Sequence, residues 1–444
     1  MIFKIGMRFI RFRPVLFIGA FITLMIGAAV IGIASMGLSS AIVSFDGQNE
    51  VMIVAMSIFG TISAAIAFFI IAGTFAFGIA LRRKEFALFR LVGGSGGQLG
   101  RMIMAESFVV SIFASLMGSI IAYFFFPFFL DMINGVGLSQ TLMVMPFVWL
   151  PLPVAFAIAV AIANLGAFSA SRKATKVSPS EVLRDSSLDT KVMTKKKIAV
   201  GSIMILLGLG MYLIAILVNT GFDGSVPIVI FGTIFLVAGF VIFSPSFLPQ
   251  IGYAFTRPFA NSVTGKIATS GVKTSKRKTS SLISPIITSI AILMTTALTF
   301  GAMDAIMESP PEQVLINQTM MLIVIVPSIV FSAIAIINTS LMAASTRRDE
   351  IVKMKLLGVN SAQIKIIVLK ETLITIILGI GVGLGIALFA AAVFQISLMS
   401  AFDHVPFVFP WIEFGVMSGI YLSVGVVSSL IAVAKILRGA RVKT

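Results

Sequence analysis

Long apolar runs, separated by short polar segments that carry the charges, set the rhythm of this chain. Val15–Ser39, Met52–Leu81 and Met102–Leu130 are broken only by small or weakly polar residues. A helix needs roughly 20 apolar residues to cross a hydrocarbon core of about 30 Å, so each run is long enough to span a bilayer. The same pattern predicts about ten spans in all. They are Pro14–Gly37, Met52–Leu81, Met102–Leu130, Pro146–Ser169, Ile198–Val218, Pro227–Phe247, Leu282–Ala302, Met320–Ala344, Thr372–Met399 and Trp411–Ala434.

The polar segments alternate in sign. With the N-terminus inside, all 33 Lys and Arg fall in the inner segments, around Lys4–Arg13, Arg82–Arg101, Arg172–Lys197, Arg257–Lys278, Arg347–Lys370 and Lys435–Lys443. The outer loops hold Asp46, Glu50, Asp131, Asp223, Asp304, Glu308, Glu312, Asp403 and Glu413, and no base. Basic residues collect on the cytoplasmic side of membrane proteins. Dropping any one span would scatter bases outside, so the asymmetry itself supports the span count. It predicts both termini in the cytoplasm.

Composition agrees with this reading. Apolar residues make up 58% of the chain, charged residues 11%, and the mean hydropathy is +1.09. A net charge of +16 would ordinarily suggest nucleic acid, but these bases punctuate apolar runs rather than covering one soluble face. No nucleic-acid partner is expected. Cysteine is absent and His404 is the single histidine, which excludes disulfides, thiolate metal sites and a His-based zinc site. The first apolar run is longer than the h-region of a signal peptide and reads as a retained span. Two inner segments carry apolar residues at helical spacing beside bases. Ile2, Ile5, Phe9 and Phe12 lie beside Lys4, Arg8 and Arg11, and Phe255, Phe259, Val263 and Ile267 beside Arg257 and Lys266. Both predict helices lying in the membrane interface among anionic headgroups.

A gapless offset of 265 residues superposes two stretches. Arg82, Arg83, Glu85, Leu91, Gly93, Gln98, Glu106 and Gly118 recur as Arg347, Arg348, Glu350, Leu356, Gly358, Gln363, Glu371 and Gly383. Each block joins a span entering the cytoplasm to one leaving it, so the repeat is parallel. The chain is therefore expected to hold a first four-span unit (1–185), a linker and central two-helix hairpin (186–250) and a second four-span unit (251–444). Within each block, charged residues alternate with apolar ones over Arg82–Leu91 and Arg347–Leu356, as in a short amphipathic helix. Gly93 and Gly358 stand where a helix C-cap needs positive φ. Glu106 and Glu371 fall just inside the next span, where a carboxylate needs a partner, and bases on the neighbouring inner helix could supply it. Two equivalent inner knobs suit two copies of a soluble partner.

These residues resemble the FtsX-like (MacB-type) permeases of ABC transporters. The stretch Arg82-Arg83-Lys84-Glu85-Phe86-Ala87-Leu88-Phe89-Arg90-Leu91-Val92-Gly93-Gly94 is similar to the family's pattern of R-x-x-E, apolar residues, L-x-G and a later Gln and Glu. Arg347–Gly358 matches it again, and Ser178–Arg184 is similar to the family's P-x-x-x-L-R tail. The resemblance implies four spans per unit, with a coupling helix between the second and third that sits in a groove of an ATPase subunit. The docking set it implies is Arg82, Arg83, Glu85, Phe86, Phe89, Leu91 and Gly93, with Arg347, Arg348, Glu350, Ile351, Met354, Leu356 and Gly358. Gln98, Glu106, Gln363 and Glu371 would be structural or coupling residues. It also implies two copies of a cytoplasmic ATPase per chain and a place in a bacterial cytoplasmic membrane. Many relatives carry a large extracellular domain, for which Ser39–Val51 and Met303–Thr319 are too short.

The chain itself carries no nucleotide site. Gly265-Lys266 is followed by Ile267 rather than Ser or Thr. No cofactor is expected in it, and ATP and Mg²⁺ belong to the partner. Gly93–Gly97 has the composition of a phosphate cradle, but a membrane-surface turn needs the same residues without a ligand. Neither a paired-carboxylate nor a Ser-His constellation is present, so no enzyme activity is expected. Two functions remain: export or extraction of an amphipathic substrate (peptide, lipopeptide, lipid or lipoprotein), entering from the surrounding lipids, or a mechanotransmitting or sensory complex that moves no substrate.

Overall fold

A computed structural model describes residues 14–44, 50–135, 142–145, 149–174, 195–218, 221–255, 262–274, 276–306, 332–341, 348–399 and 405–441, with a few isolated positions between. Every regular element among them is an α-helix. The helices are α1 Pro14–Ser44, α2 Glu50–Leu81, α3 Arg83–Leu91, α4 Gly96–Gly135, α5 Pro151–Ala174, α6 Lys195–Leu217 and α7 Gly221–Phe255. They continue as α8 Val263–Thr274, α9 Lys276–Ile306, α10 Arg348–Leu356, α11 Ser361–Leu398 and α12 Trp411–Arg441.

Nine of the described helices are long and apolar enough to cross a membrane. The protein is an all-α, multi-pass membrane protein. The remaining expected span, Met320–Ala344, is described only in part, chiefly as the apolar helix Ser332–Leu341, and its other positions lie partly outside the described residues. The N-terminal interfacial helix, Arg257 and Phe259, the Ser178–Arg184 tail, and Asp403 with His404 lie outside the described residues. The helices outrun the apolar runs that predicted them. At 40 residues, α4 starts at Gly96 rather than Met102 and ends at Gly135 rather than Leu130. At 1.5 Å per residue it measures about 60 Å, twice the hydrocarbon thickness. Helix growth continues through polar residues because each added residue contributes a backbone hydrogen bond.

The chain divides into two compact units, 1–188 and 189–444. In the first, α1 packs against α2, α4 and α5. Small residues set the closeness. A Cβ added to Gly118 of α4 would overlap the Met25 carbonyl oxygen of α1, and one on Gly166 of α5 would stand 2.8 Å from Ala72 Cα of α2. Without a strong hydrophobic drive between helices in lipid, such small residues let backbones touch. Near the other end, Phe59 of α2 stacks on Phe129 of α4 at 5.7 Å. Asn164 of α5 donates to Ser111 Oγ of α4 at 3.1 Å.

In the second unit, α9 is the most enclosed span and packs against α7, α11 and α12. Gly379 and Gly383 of α11 ride on Ile286 and Ile290 of α9. Polar side chains stitch these helices together: Ser289 bonds Ser332, Ser244 bonds Ser280, and Tyr212 and Thr233 pair at 2.8 Å inside the α6–α7 hairpin. The hairpin packs onto this unit, with the Tyr212 ring 5.7 Å from Phe389 of α11.

Candidate functional site

In each unit the repeated block forms a corner, made of a nine-residue helix, a glycine turn and the start of a long span. Helix α3 starts immediately after α2, with Arg82 as the joint. Gly93 has φ +99° and Gly358 φ +84°, a region that glycine enters without steric cost. Gly94 donates to the Phe89 carbonyl and Gly93 to that of Arg90, both at 3.1 Å. Val359 and Gly358 do the same to Met354 and Lys355 at 3.0 Å. Both turns are therefore Schellman caps, which satisfy the carbonyls left over at the end of a short helix.

The following helices are capped as similarly as they are stopped. Ser95 N–H donates to Gln98 Oε1 at 2.9 Å while Gln98 N–H donates to Ser95 Oγ at 3.2 Å. In the second corner, Asn360 and Gln363 form the equivalent capping box. The repeated glutamines thus start α4 and α11. These bonds also occupy the backbone donors of Gly93, Gly94, Ser95 and Gln98. Likewise Gly265, beside Lys266, donates to Ser262 Oγ within the first turn of α8. Among the described residues, no group of three His, Cys, Asp or Glu could hold a metal ion.

Burial divides the sequence-derived docking set. Phe86 is 3% exposed and packs with Ile79 of α2 and Leu99, Met102 and Ile103 of α4, with Phe89 against the same cluster. Ile351 is 2% exposed and packs with Ile364 and Val368 of α11 and Val433 and Leu437 of α12, with Met354 beside it. Phe86 and Ile351, both in the expected docking set, point into their own unit and anchor the short helix. The residues turned outward are Leu88, Leu91 and Val92 in the first corner and Leu356 and Leu357 in the second. Val92 is 91% exposed and Leu357 84%. Neither was in the docking set, nor was Leu88. Both occupy the C-cap position one residue before the glycine, so the cap motif itself was the signal that could have found them. Glu350 is exposed, Glu85 half-buried, and Gly93 and Gly358 lie open at the tips. Arg347 and the side chains of Arg83 and Arg348 lie outside the described residues.

Arg82 is buried, and its guanidinium meets Glu106 of α4 through two nitrogens, at 2.5 and 3.3 Å. Its Nε also donates to Glu85 at 3.4 Å, and the group lies 5.0 Å from the Phe86 ring centre. Such a two-pronged contact fixes direction as well as distance. In the second unit, Glu371 is buried with Gly271 of α8 close to its carboxylate, and the neighbouring Lys370 donates to Ser262 Oγ at 2.9 Å and Thr264 Oγ1 at 3.1 Å. What the corners can do chemically is bind rather than react: each presents an apolar tip on a firmly seated short helix.

Residues 57–179 and 320–440, together more than half of the chain, match the family model described as FtsX-like permease C-terminal. Each match contains one of the two corners. The comparison with curated proteins returned no match.

Proposed function

The chain belongs to the FtsX-like permease family, as a permease subunit of an ABC transporter, and from that premise we propose that its two corners are where partner ATPases dock. In this reading α3 and α10 are coupling helices at the cytoplasmic side. One chain with two corners engages two copies of the ATPase, which hold the ATP and Mg²⁺. Closure of the ATPases pushes the corners, and the long spans α4 and α11 carry the motion across the bilayer. The transported substrate is an amphipathic molecule (a peptide, lipopeptide, lipid or lipoprotein) exported or extracted from the lipid phase. The protein lies in a bacterial cytoplasmic membrane with both termini inside.

The observation that carries this reading is the exposed apolar tip, built at the same place in both repeats on a helix whose other face is buried. Leu91 and Val92, and Leu356 and Leu357, are exposed at a base-rich end of their spans. Apolar side chains held there against solvent mark an interaction surface. The test is copurification of the partner ATPase with Val92→Asp plus Leu357→Asp. Both side chains are exposed, so the variant should insert and fold like the parent and lose the ATPase. Undiminished copurification would overturn the docking assignment. Vesicles reconstituted with the ATPase then separate transport from signalling: ATP-dependent movement of a labelled lipopeptide supports export, and turnover that moves nothing supports the mechanotransmitting alternative.

A further inference from the structure

A short helix joined to its neighbours by a one-residue joint and a glycine turn is a poor lever. Pushed from outside, α3 could pivot about Arg82 and about Val92–Ser95, and α4 would not follow. In the first unit the joint is closed by side chains. Arg82, the residue between α2 and α3, is held by Glu106, which lies within α4 at a distance of 24 residues along the chain. Glu85 of α3 accepts from Nε of the same guanidinium. Below it, Ile79, Phe86, Leu99, Met102 and Ile103 close an apolar cluster drawn from the same three helices.

We propose that the Arg82–Glu106 pair locks the end of α2, all of α3 and the start of α4 into one rigid corner, so that displacement of α3 becomes displacement of α4. Arg82 and Glu106 are then positioning residues for coupling, acting through α4. Farther along, α4 lies close against α1, with Gly118 facing the Met25 carbonyl and Ala28. This inference rests on the docking reading for the source of the push, though the rigidity of the corner stands apart from it.

The chain has no native cysteine, so engineered cysteines can be labelled without a background. Spin labels at half-buried Arg90 on α3, outside the docking tip, and at exposed Phe113 on α4 report the corner as one distance. In the parent reconstituted with its ATPase, that distance should be narrow and the same without nucleotide and with a non-hydrolysable ATP analogue. Glu106→Gln should keep the ATPase in a pull-down, yet broaden the distance and make it shift with nucleotide. Arg82→Lys, which keeps the charge but cannot make the two-pronged contact, should fall between them and serves as the second variant if Glu106→Gln fails to insert. A parent distance that shifts with nucleotide, or a Glu106→Gln distribution as narrow as the parent's, would overturn the proposal. If no ATPase copurifies with the parent, the docking reading fails, and the widths without nucleotide still decide whether the pair holds the corner.

Discussion

At the scale of single residues, the corner of the first unit depends on a charge that is expensive to leave alone. Breaking a buried ion pair from one side typically costs about 3–5 kcal/mol, because the remaining charge stays buried without its partner. Glu106→Ala should therefore lower the thermal midpoint of the purified protein in a fixed detergent. The double variant Arg82→Met with Glu106→Ala should recover part of that loss, since it removes the stranded guanidinium and keeps apolar volume. If the double variant unfolds earlier than Glu106→Ala, the pair's contribution lies elsewhere, for example in the Glu85 contact. The need for a partner at Glu106 was legible in the sequence, as a carboxylate just inside an apolar run. Which base would meet it was not, because Arg82, Arg83, Lys84 and Arg90 all stand within one short segment and only the turn of α3 selects among them.

At the scale of elements, the repeat preserves the devices that start, stop and cross helices. Gly118 and Gly383 occupy one register of the repeat, and each lies where the third span of its unit crosses a neighbour. A side chain at Gly118 would meet the Met25 carbonyl and Ala28, and one at Gly383 would meet Ile290 Cβ at 2.8 Å. Gly118→Val and Gly383→Val should each sharply reduce the yield of folded, monodisperse protein. Gly97→Ala and Gly385→Ala, where nothing lies within 4 Å, should leave it unchanged. Equal yields from both sets would show that the helices cross with room to spare. The glycines were visible in the sequence as repeated positions, but apolar periodicity has no term for the distance between two backbones. The helices outrun their apolar spans for a related reason: hydropathy measures what lipid tolerates, whereas α4 and α11 run on through polar residues that their own backbone bonds support.

At the scale of the whole molecule, the distribution of charge makes the testable statement. If the base-rich ends face the cytoplasm, an impermeant maleimide added to intact cells should label cysteines placed at Trp149 or Ile412. It should not label cysteines at Val92 or Leu357 until the membrane is opened. All four positions are exposed, so silence cannot be blamed on burial. Labelling of Val92 or Leu357 from outside would invert the orientation, and with it the docking reading. The hairpin α6–α7 adds a feature that the repeat did not foretell. It packs against α9 and α11, so the second unit gathers more helices around its core than the first.

Segment-long averages were readable from the sequence alone: helical spans, a duplicated block and the glycines that punctuate it. Each is a one-dimensional property, set by length, hydropathy or backbone conformation within a few residues. Tertiary structure alone decided which face of each short helix turns inward. Phe86 and Ile351, with the chemistry of docking residues, are anchors, while Val92 and Leu357, inconspicuous in the pattern, are the exposed tips. A nine-residue helix carries too few positions for its periodicity to identify the buried face, so the neighbours that pack against it make that choice.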